Sequence, residues 1–284
     1  MTLVLTCLTH EAVLIISDRR LTSYPSASRP VKVVQEDATK AVFADHWLFG
    51  YTGLSRLEGK RTDLWLADRL VKRVQQHLSI CVSEIMQDAD RQISWVERLH
   101  PQLAPIAQAF IGAGWFIDPL TNKSYTGYYL VSNFHDTRGQ PNGVGAFRTD
   151  CRDLTSNSAC LVQAIGAGVA MNEIRTLEVQ ISRTIRRGGG PNAVGRHLFD
   201  FIQMISQREV SVGNRFILSC IPKASFERQC RGERYAFFSG LPERNHATFA
   251  YFDGDTGTTR QFAPTVVMNG STVANFSTGP SEEL

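Results

Sequence analysis

The sequence predicts an α+β fold: two mainly antiparallel sheets packed together, with helices on both outer faces, in a four-layer αββα sandwich. Three observations lead there. Short apolar runs of strand length open the chain and recur in its middle. After each block of strands the apolar spacing lengthens to a helical period over two consecutive segments. With 43% hydrophobic residues in 284 positions, the chain can bury the core that such layers enclose.

Residues 3–8 and 12–17 are runs rich in Leu, Val and Ile around the polar turn Thr9-His10-Glu11, the pattern of a hairpin of buried strands. Residues 24–30 carry two prolines and two serines and read as a loop. Residues 31–35 and 40–51 read as further strands, the latter turning at Asp45-His46, and these first strands are expected to share one sheet. From Ser55 onward Leu57, Leu64, Leu66, Leu70, Val71, Val74 and Leu78 fall near helical spacing. A second helix is expected from 82 to 99, stopped by Pro101 and Pro105. Strands at 109–117, 125–133, 145–151 and 160–165 are expected to make a second sheet. Helices at 171–187 and 192–207 follow, parted by Gly188-Gly189-Gly190, with Pro191 suited to a first helical turn.

A strand at 215–221 closes a domain spanning residues 1–222. Residues 223–284 read as a strand-rich extension packed on that same domain. Its strands are expected at 247–252, 259–262 and 265–268, with turn signals at Asp253-Gly254 and Asn269-Gly270 and a frayed acidic tail.

Composition narrows the function classes. Net charge is only +3, from 30 basic and 27 acidic residues, so a nucleic-acid footprint is not expected. The one basic cluster, Arg183, Arg186 and Arg187, falls at a predicted helix end, where cations suit the dipole. No apolar run approaches the roughly 18 residues of a membrane span, and the N-terminus lacks a signal peptide's basic flank and long apolar stretch, so a cytoplasmic protein is expected. The six cysteines show neither CxxC spacing nor histidine neighbours and read as core residues or free thiols, Cys7 among them as a core cysteine of the first strand. Neither HExxH nor a phosphate-binding glycine motif occurs, and no metal or cofactor is expected.

The candidate chemistry lies near the start. If Met1 is removed, Thr2 carries a nucleophilic hydroxyl and a free α-amine on one residue. A hydroxyl needs a base at neutral pH, and an α-amine with a pKa of about 7.7–8.0 suits that task. Asp18 ends the second strand, Lys40 opens a later one, and the turn Gly50-Tyr51-Thr52-Gly53 precedes the first helix.

In that order these residues resemble the proteasome β-subunit group of N-terminal-nucleophile (Ntn) hydrolases, together with bacterial proteasome-related proteins. The match covers most of residues 2–222. In that family the mature chain begins with threonine, Asp-x-Arg closes the second strand, a lysine opens a later strand and a glycine-bearing turn precedes the first helix. Those positions fall on Thr2, Asp18 with Arg20, Lys40 and Gly53. The segment Ala164-Ile165-Gly166-Ala167-Gly168 resembles the family's Ile-Gly-Ser-Gly turn, with Ala167 in the serine's place. The family's supporting acid and hydroxyl map to Glu209 and Val212, with Ser211 or Asn214 as substitutes. The loop from Thr22 to Thr39 and the extension beyond Pro222 exceed a compact subunit of this type.

The resemblance implies an Ntn-hydrolase fold and amide hydrolysis at Thr2. It implies that Lys40 holds positive charge beside the nucleophile, Asp18 fixes Lys40, and the Gly53 N–H faces the developing oxyanion. Arg20, Ala167, Gly168 and Glu209 take supporting places, and Leu21 and Tyr51 line a substrate pocket that favours small or medium side chains. No cofactor is implied. Its implied partners are a peptide or protein substrate, further copies in a homo-oligomeric ring, and an AAA+ unfoldase. Three functions stay open from sequence: a threonine-type peptidase, an inactive ring-forming structural or binding subunit, and a non-peptide amidohydrolase such as an acylase.

Overall fold

Runs rich in Leu, Val and Ile give β1 (Leu3–Thr9) and β2 (Ala12–Asp18), buried along their whole length and paired antiparallel from Val4↔Ser17 to Leu8↔Val13. Thr9 closes the turn between them, its hydroxyl accepting from the N–H groups of Glu11 (3.2 Å) and Ala12 (2.8 Å). The computed structural model describes residues 2–22, 32–36, 38–71, 78–136, 142–166, 168–233, 237–254, 258–260, 265–268 and 271–273.

After β2 come the short pair β3 (Leu21–Thr22) and β4 (Val33–Gln35), then β5 (Ala41–Ala44) and β6 (Trp47–Thr52), joined at Asp45-His46. A second hairpin, β7 (Arg56–Leu57) and β8 (Lys60–Arg61), precedes α1 (Thr62–Val71) and α2 (Leu78–Leu99). The middle strands are β9 (Ala109–Ile117), β10 (Ser124–Ser132), β11 (Arg148–Asp153) and β12 (Cys160–Gly166). Next come α3 (Met171–Arg186), α4 (Pro191–Arg208, with Pro191 in its first turn), β13 (Arg215–Pro222) and α5 (Lys223–Cys230). The chain adds β14 (Phe237–Ser239), β15 (Ala247–Asp253), β16 (Thr258–Arg260), β17 (Thr265–Met268) and β18 (Ser271–Val273).

The result is an α+β protein with two mixed, mostly antiparallel sheets and five helices among the described residues. The first sheet runs β12-β1-β2-β13-β15-β14, with β16 on β15; the second runs β11-β10-β9-β6-β5-β17-β18. Parallel pairs occur only at β14–β15 and β17–β5 among the described strands.

Two sequence expectations are corrected. The sheets do not divide by sequence block: β5 and β6 join β9–β11, while β12 crosses back to pair with β1 from Leu3↔Gly166 to Thr9↔Cys160. Residue period assigns a segment to a strand but carries no information on which distant strand it joins. The first helix starts at Thr62 rather than Ser55, because Glu58 (φ 50°) and Gly59 (φ 73°) make a tight hairpin turn ahead of it. The strand-rich extension also carries a helix, since α5 follows β13 directly. Its strands enter both sheets: β14, β15 and β16 join the first, β17 and β18 the second. The turn expected at Asn269-Gly270, the loop at 24–30 and the acidic tail lie outside the described residues.

Three apolar clusters hold these elements. On one face of the first sheet Leu5, Leu14 and Leu218 meet Leu177 and Ile181 of α3 and Leu198 and Ile202 of α4. Its other face meets the second sheet, Val4, Val13 and Ile15 against Phe43, Leu48, Ile111 and Trp115. There the Trp115 indole N–H, which cannot be left unpaired in a dry core, donates to the Ile221 carbonyl at 3.0 Å. Behind the second sheet Phe49, Tyr51 and Phe110 pack on Trp65 and Leu66 of α1 and Val82 and Ile85 of α2. No helix among the described residues is long and apolar enough to cross a membrane.

Two histidines are held neutral by this packing. His46 lies between the rings of Trp47 and Phe226, each 5.4 Å centroid to centroid, and burial lowers its pKa to about 4. His135 sits with Nδ1 2.7 Å from the Ser132 hydroxyl; burial, partly offset by Asp136, also lowers it to about 4. An unfolded chain would protonate both near pH 6.5, so between pH 6.5 and 4 the unfolded state binds protons that the folded state does not. Stability is therefore expected to fall as pH drops through that window, by up to roughly 3 kcal/mol per histidine, and to level off below it. Urea unfolding of His46→Phe, which keeps the ring contacts, should show a shallower loss than wild type from pH 7 to 4.5. Parallel curves would remove His46 from this account.

Candidate functional site

β1 starts beside the end of the antiparallel β2, which brings the Thr2–Leu3 peptide to Asp18. Asp18 is wholly buried, and four donors surround its carboxylate. Oδ1 accepts from the Leu3 N–H at 2.9 Å. Oδ2 accepts from the Arg20 N–H (3.0 Å), the Gly213 N–H (3.1 Å) and the Lys40 ammonium (3.1 Å). An isolated carboxylate could not be buried this way; a counter-ion and three backbone donors make it tolerable.

Lys40, just ahead of β5, is also 0% exposed, and its Nζ makes a second bond to the Arg20 carbonyl. An ammonium has three donors, and among the described residues two are used in this way. Loss of hydration lowers the Lys40 pKa from 10.5; Asp18 pulls it upward without cancelling that effect. The segment bearing Lys40 is pinned to the end of β2: the Ala38 N–H donates to the Arg19 carbonyl at 2.9 Å and Arg19 Nε donates to the Ala38 carbonyl at 3.3 Å.

Arg20 extends the cluster outward. Its Nε donates to Glu36 at 3.0 Å, and its Nη1 donates to the carbonyls of Val210 (2.8 Å) and Val212 (3.3 Å). The loop after α4 thus reaches the site through its backbone, by Gly213 N–H and these two carbonyls. Glu209 ends α4 half-buried, its N–H bonded to the Ile205 carbonyl. The Val212 side chain is buried in the apolar cluster under α3 and α4, so no hydroxyl stands at that position. Ser211 and Asn214 flank it, half-buried.

Thr2 is 5% exposed, and its carbonyl accepts from the Thr52 hydroxyl at 3.4 Å. Gly166 backs onto that carbonyl from β12. Gly53 follows β6 with φ +113°, a conformation only glycine adopts freely, and lies against Gln108 and the Ala107 carbonyl. Tyr51 turns away from this end of the strand into the α1–α2 core and is 3% exposed, its hydroxyl donating to the Thr39 carbonyl at 3.0 Å. Leu21 stays half-exposed in β3, opposite Gln35. Gly168 is exposed ahead of α3, and Ala167 lies outside the described residues.

Asp18, Lys40 and Arg20 therefore form one connected cluster, joined to the backbone after Thr2 through the Leu3 N–H, and Thr52 holds the Thr2 carbonyl. Sequence reasoning missed Gly213, Arg19, Glu36, Thr52 and Gln108. Only Arg19 and Glu36 carried a signal, as charges beside Arg20 and in the insertion before Lys40. Burial pushes the Cys7 thiol well above its usual range, consistent with a core residue on β1. All six cysteines are free thiols. Among the described residues no His, Cys, Asp and Glu group could hold a metal ion. Compared with protein-family models and with curated proteins, the chain matches none.

Proposed function

We propose that the chain is a threonine-type amide hydrolase of the Ntn class, a peptidase, and that its layers are the αββα sandwich of that class. The observation that carries this is the Asp18 carboxylate, which holds the Leu3 N–H on one oxygen and the buried Lys40 ammonium on the other. One side chain thereby ties the backbone next to the nucleophile to the group that favours its ionised form.

With Met1 removed, the Thr2 hydroxyl attacks the substrate carbonyl carbon while the α-amine, through a water, takes its proton. Electron density moves to the carbonyl oxygen, which the Gly53 N–H faces, and a donor so placed contributes roughly 3–4 kcal/mol to the transition state. Collapse expels the leaving amine, which receives the proton, and leaves an ester on Thr2. Water, deprotonated by the same α-amine, cleaves that ester and frees the acid. Lys40, positively charged 3.1 Å from Asp18, lowers the cost of the alkoxide-like state and keeps the α-amine unprotonated near neutral pH. Leu21, half-exposed in β3, borders the substrate, whereas Tyr51, buried in the α1–α2 core, acts on the pocket only from behind β6. Glu209, Gly168 and Ala167 stand in the family's supporting positions.

A peptide-cleaving N-terminal nucleophile suits an enclosed ring of identical subunits fed by an AAA+ unfoldase in the cytoplasm. A second reading, a non-catalytic ring subunit, is favoured by Val212, where an apolar side chain replaces the supporting hydroxyl. An acylase would use the same nucleophile on a smaller amide, and panels of short peptides against small acyl amides separate the two.

Intact mass after incubation with a peptide electrophile that must react with both the hydroxyl and the α-amine tests the reading. Loss of Met1 with one adduct, absent in Thr2→Ala, is expected from protein purified from its native host. Retained Met1 with no adduct would turn the reading to the non-catalytic subunit.

A further inference from the structure

We propose that Gln108 is the positioning residue of the oxyanion turn, fixing the Gly53–Leu54 peptide through the Leu54 N–H so that the Gly53 N–H on the adjoining peptide is aimed before substrate arrives; this rests on the hydrolase reading above. Gln108 lies just before β9 and is 0% exposed. Its Oε1 accepts from the Leu54 N–H at 2.7 Å, immediately after Gly53. A Cβ built on Gly53 would sit 2.3 Å from that same oxygen, so the carboxamide and the turn are in direct contact.

The other end of the carboxamide shows what this contact is for. Gln108 Nε2 is a buried donor with no partner among the described residues. The amide cannot be turned over to relieve this, because the Leu54 N–H would then face an NH2 group. A methionine would fill the same volume without an unpaired donor, so packing alone does not account for a glutamine here. Its acceptor is the part that the fold uses.

Gln108 is itself fixed from outside. Its N–H donates to Asn133 Oδ1 at 2.8 Å, and Asn133 Nδ2 donates to the Ile106 carbonyl at 2.7 Å, bracketing the residue. The turn is also held from its far side, where the Thr62 hydroxyl donates to the Leu54 carbonyl at 2.7 Å and the Thr62 N–H to the Ser55 carbonyl at 2.9 Å. Leu54 is thus fixed at both its N–H and its carbonyl. Such a turn needs no reorganisation when charge develops, which is the condition for a strong oxyanion donor.

The test uses the full chain after Met1 removal. Gln108→Met keeps volume and loses the acceptor; Gln108→Glu keeps an oxygen for Leu54. With a fluorogenic peptide amide, Gln108→Met is expected to lower kcat roughly 10- to 100-fold while leaving KM nearly unchanged, as for a small misplacement of a reacting group. Gln108→Glu should restore most of kcat. A merely structural role would lower the melting temperature and leave kcat at low temperature intact. Wild-type kcat in Gln108→Met, or equal loss in both variants, overturns the inference alone. A wild type that takes no electrophile at Thr2 removes the hydrolase reading and this inference together. Should Gln108→Met not fold, Thr62→Val reads the same turn from its other side: a lowered kcat supports the inference, an unchanged one overturns it.

Discussion

Lys40→Met is expected to abolish electrophile labelling of Thr2 and to destabilise the fold by about 3–5 kcal/mol, the usual cost of stripping one partner from a buried ion pair. Both members of this pair are 0% exposed, so water cannot replace the missing ammonium. Asp18 would keep its three backbone donors, from Leu3, Arg20 and Gly213, but lose its counter-ion. The Arg20 carbonyl would lose a donor at the same time. Urea unfolding measures the first effect. Intact mass at a temperature where circular dichroism shows the variant folded measures the second. A folded Lys40→Met that labels like wild type would remove the lysine from the chemistry and leave it a structural cation.

On the proposed hydrolase reading the same lysine is expected to set the alkaline limit of labelling. Its ammonium is needed charged, and burial makes that charge easier to lose than at the ordinary pKa of 10.5. Labelling of wild type should therefore decline with rising pH earlier than an ordinary lysine would dictate. A limb that follows free lysine would mean that Asp18 fully offsets the lost hydration.

The candidate cluster was legible where it rests on side-chain identity at short range. Thr2, Asp18 and Lys40 lie within forty residues, and the β1–β2 hairpin that joins the first two announces itself as two apolar runs around a polar turn. What was not legible is what the backbone supplies from far away. Gly213 donates to Asp18 across 195 positions, and the carbonyls of Val210 and Val212 hold Arg20; any residue type has an N–H and a C=O, so no letter marks them. Gln108 reads as one polar residue at the start of a strand until Gly53 is placed against it. The fold divides in the same way. The strands of the middle block were visible as strands, yet the return of β12 to β1 depends on long-range pairing, and the β7–β8 hairpin hid inside a leucine spacing that also fits a helix.

Gly166→Ala is expected to produce the larger single-methyl effect in this protein. Gly166 pairs with Leu3 across β12 and β1 and has φ +105°, where an L side chain is strained in any surroundings. An added Cβ would lie 1.7 Å from the Thr2 carbonyl oxygen, 2.8 Å from its carbon and 3.1 Å from the Thr52 hydroxyl. None of the first two atoms belongs to a flexible side chain, so either β12 or the start of β1 must move. The strain and the clash together place the loss above about 4 kcal/mol, in the range that a point substitution reaches only through a named structural fault. The displacement falls on Thr2 itself, so whatever fraction folds should take up the electrophile far more slowly. Gly168→Ala is the control two residues on: its added Cβ meets nothing within 4 Å, and its stability should stay within about 0.5 kcal/mol of wild type. Equal melting temperatures for the two variants would mean that β12 does not press on the Thr2 carbonyl, and the proposed role of Thr2 would lose this support with it.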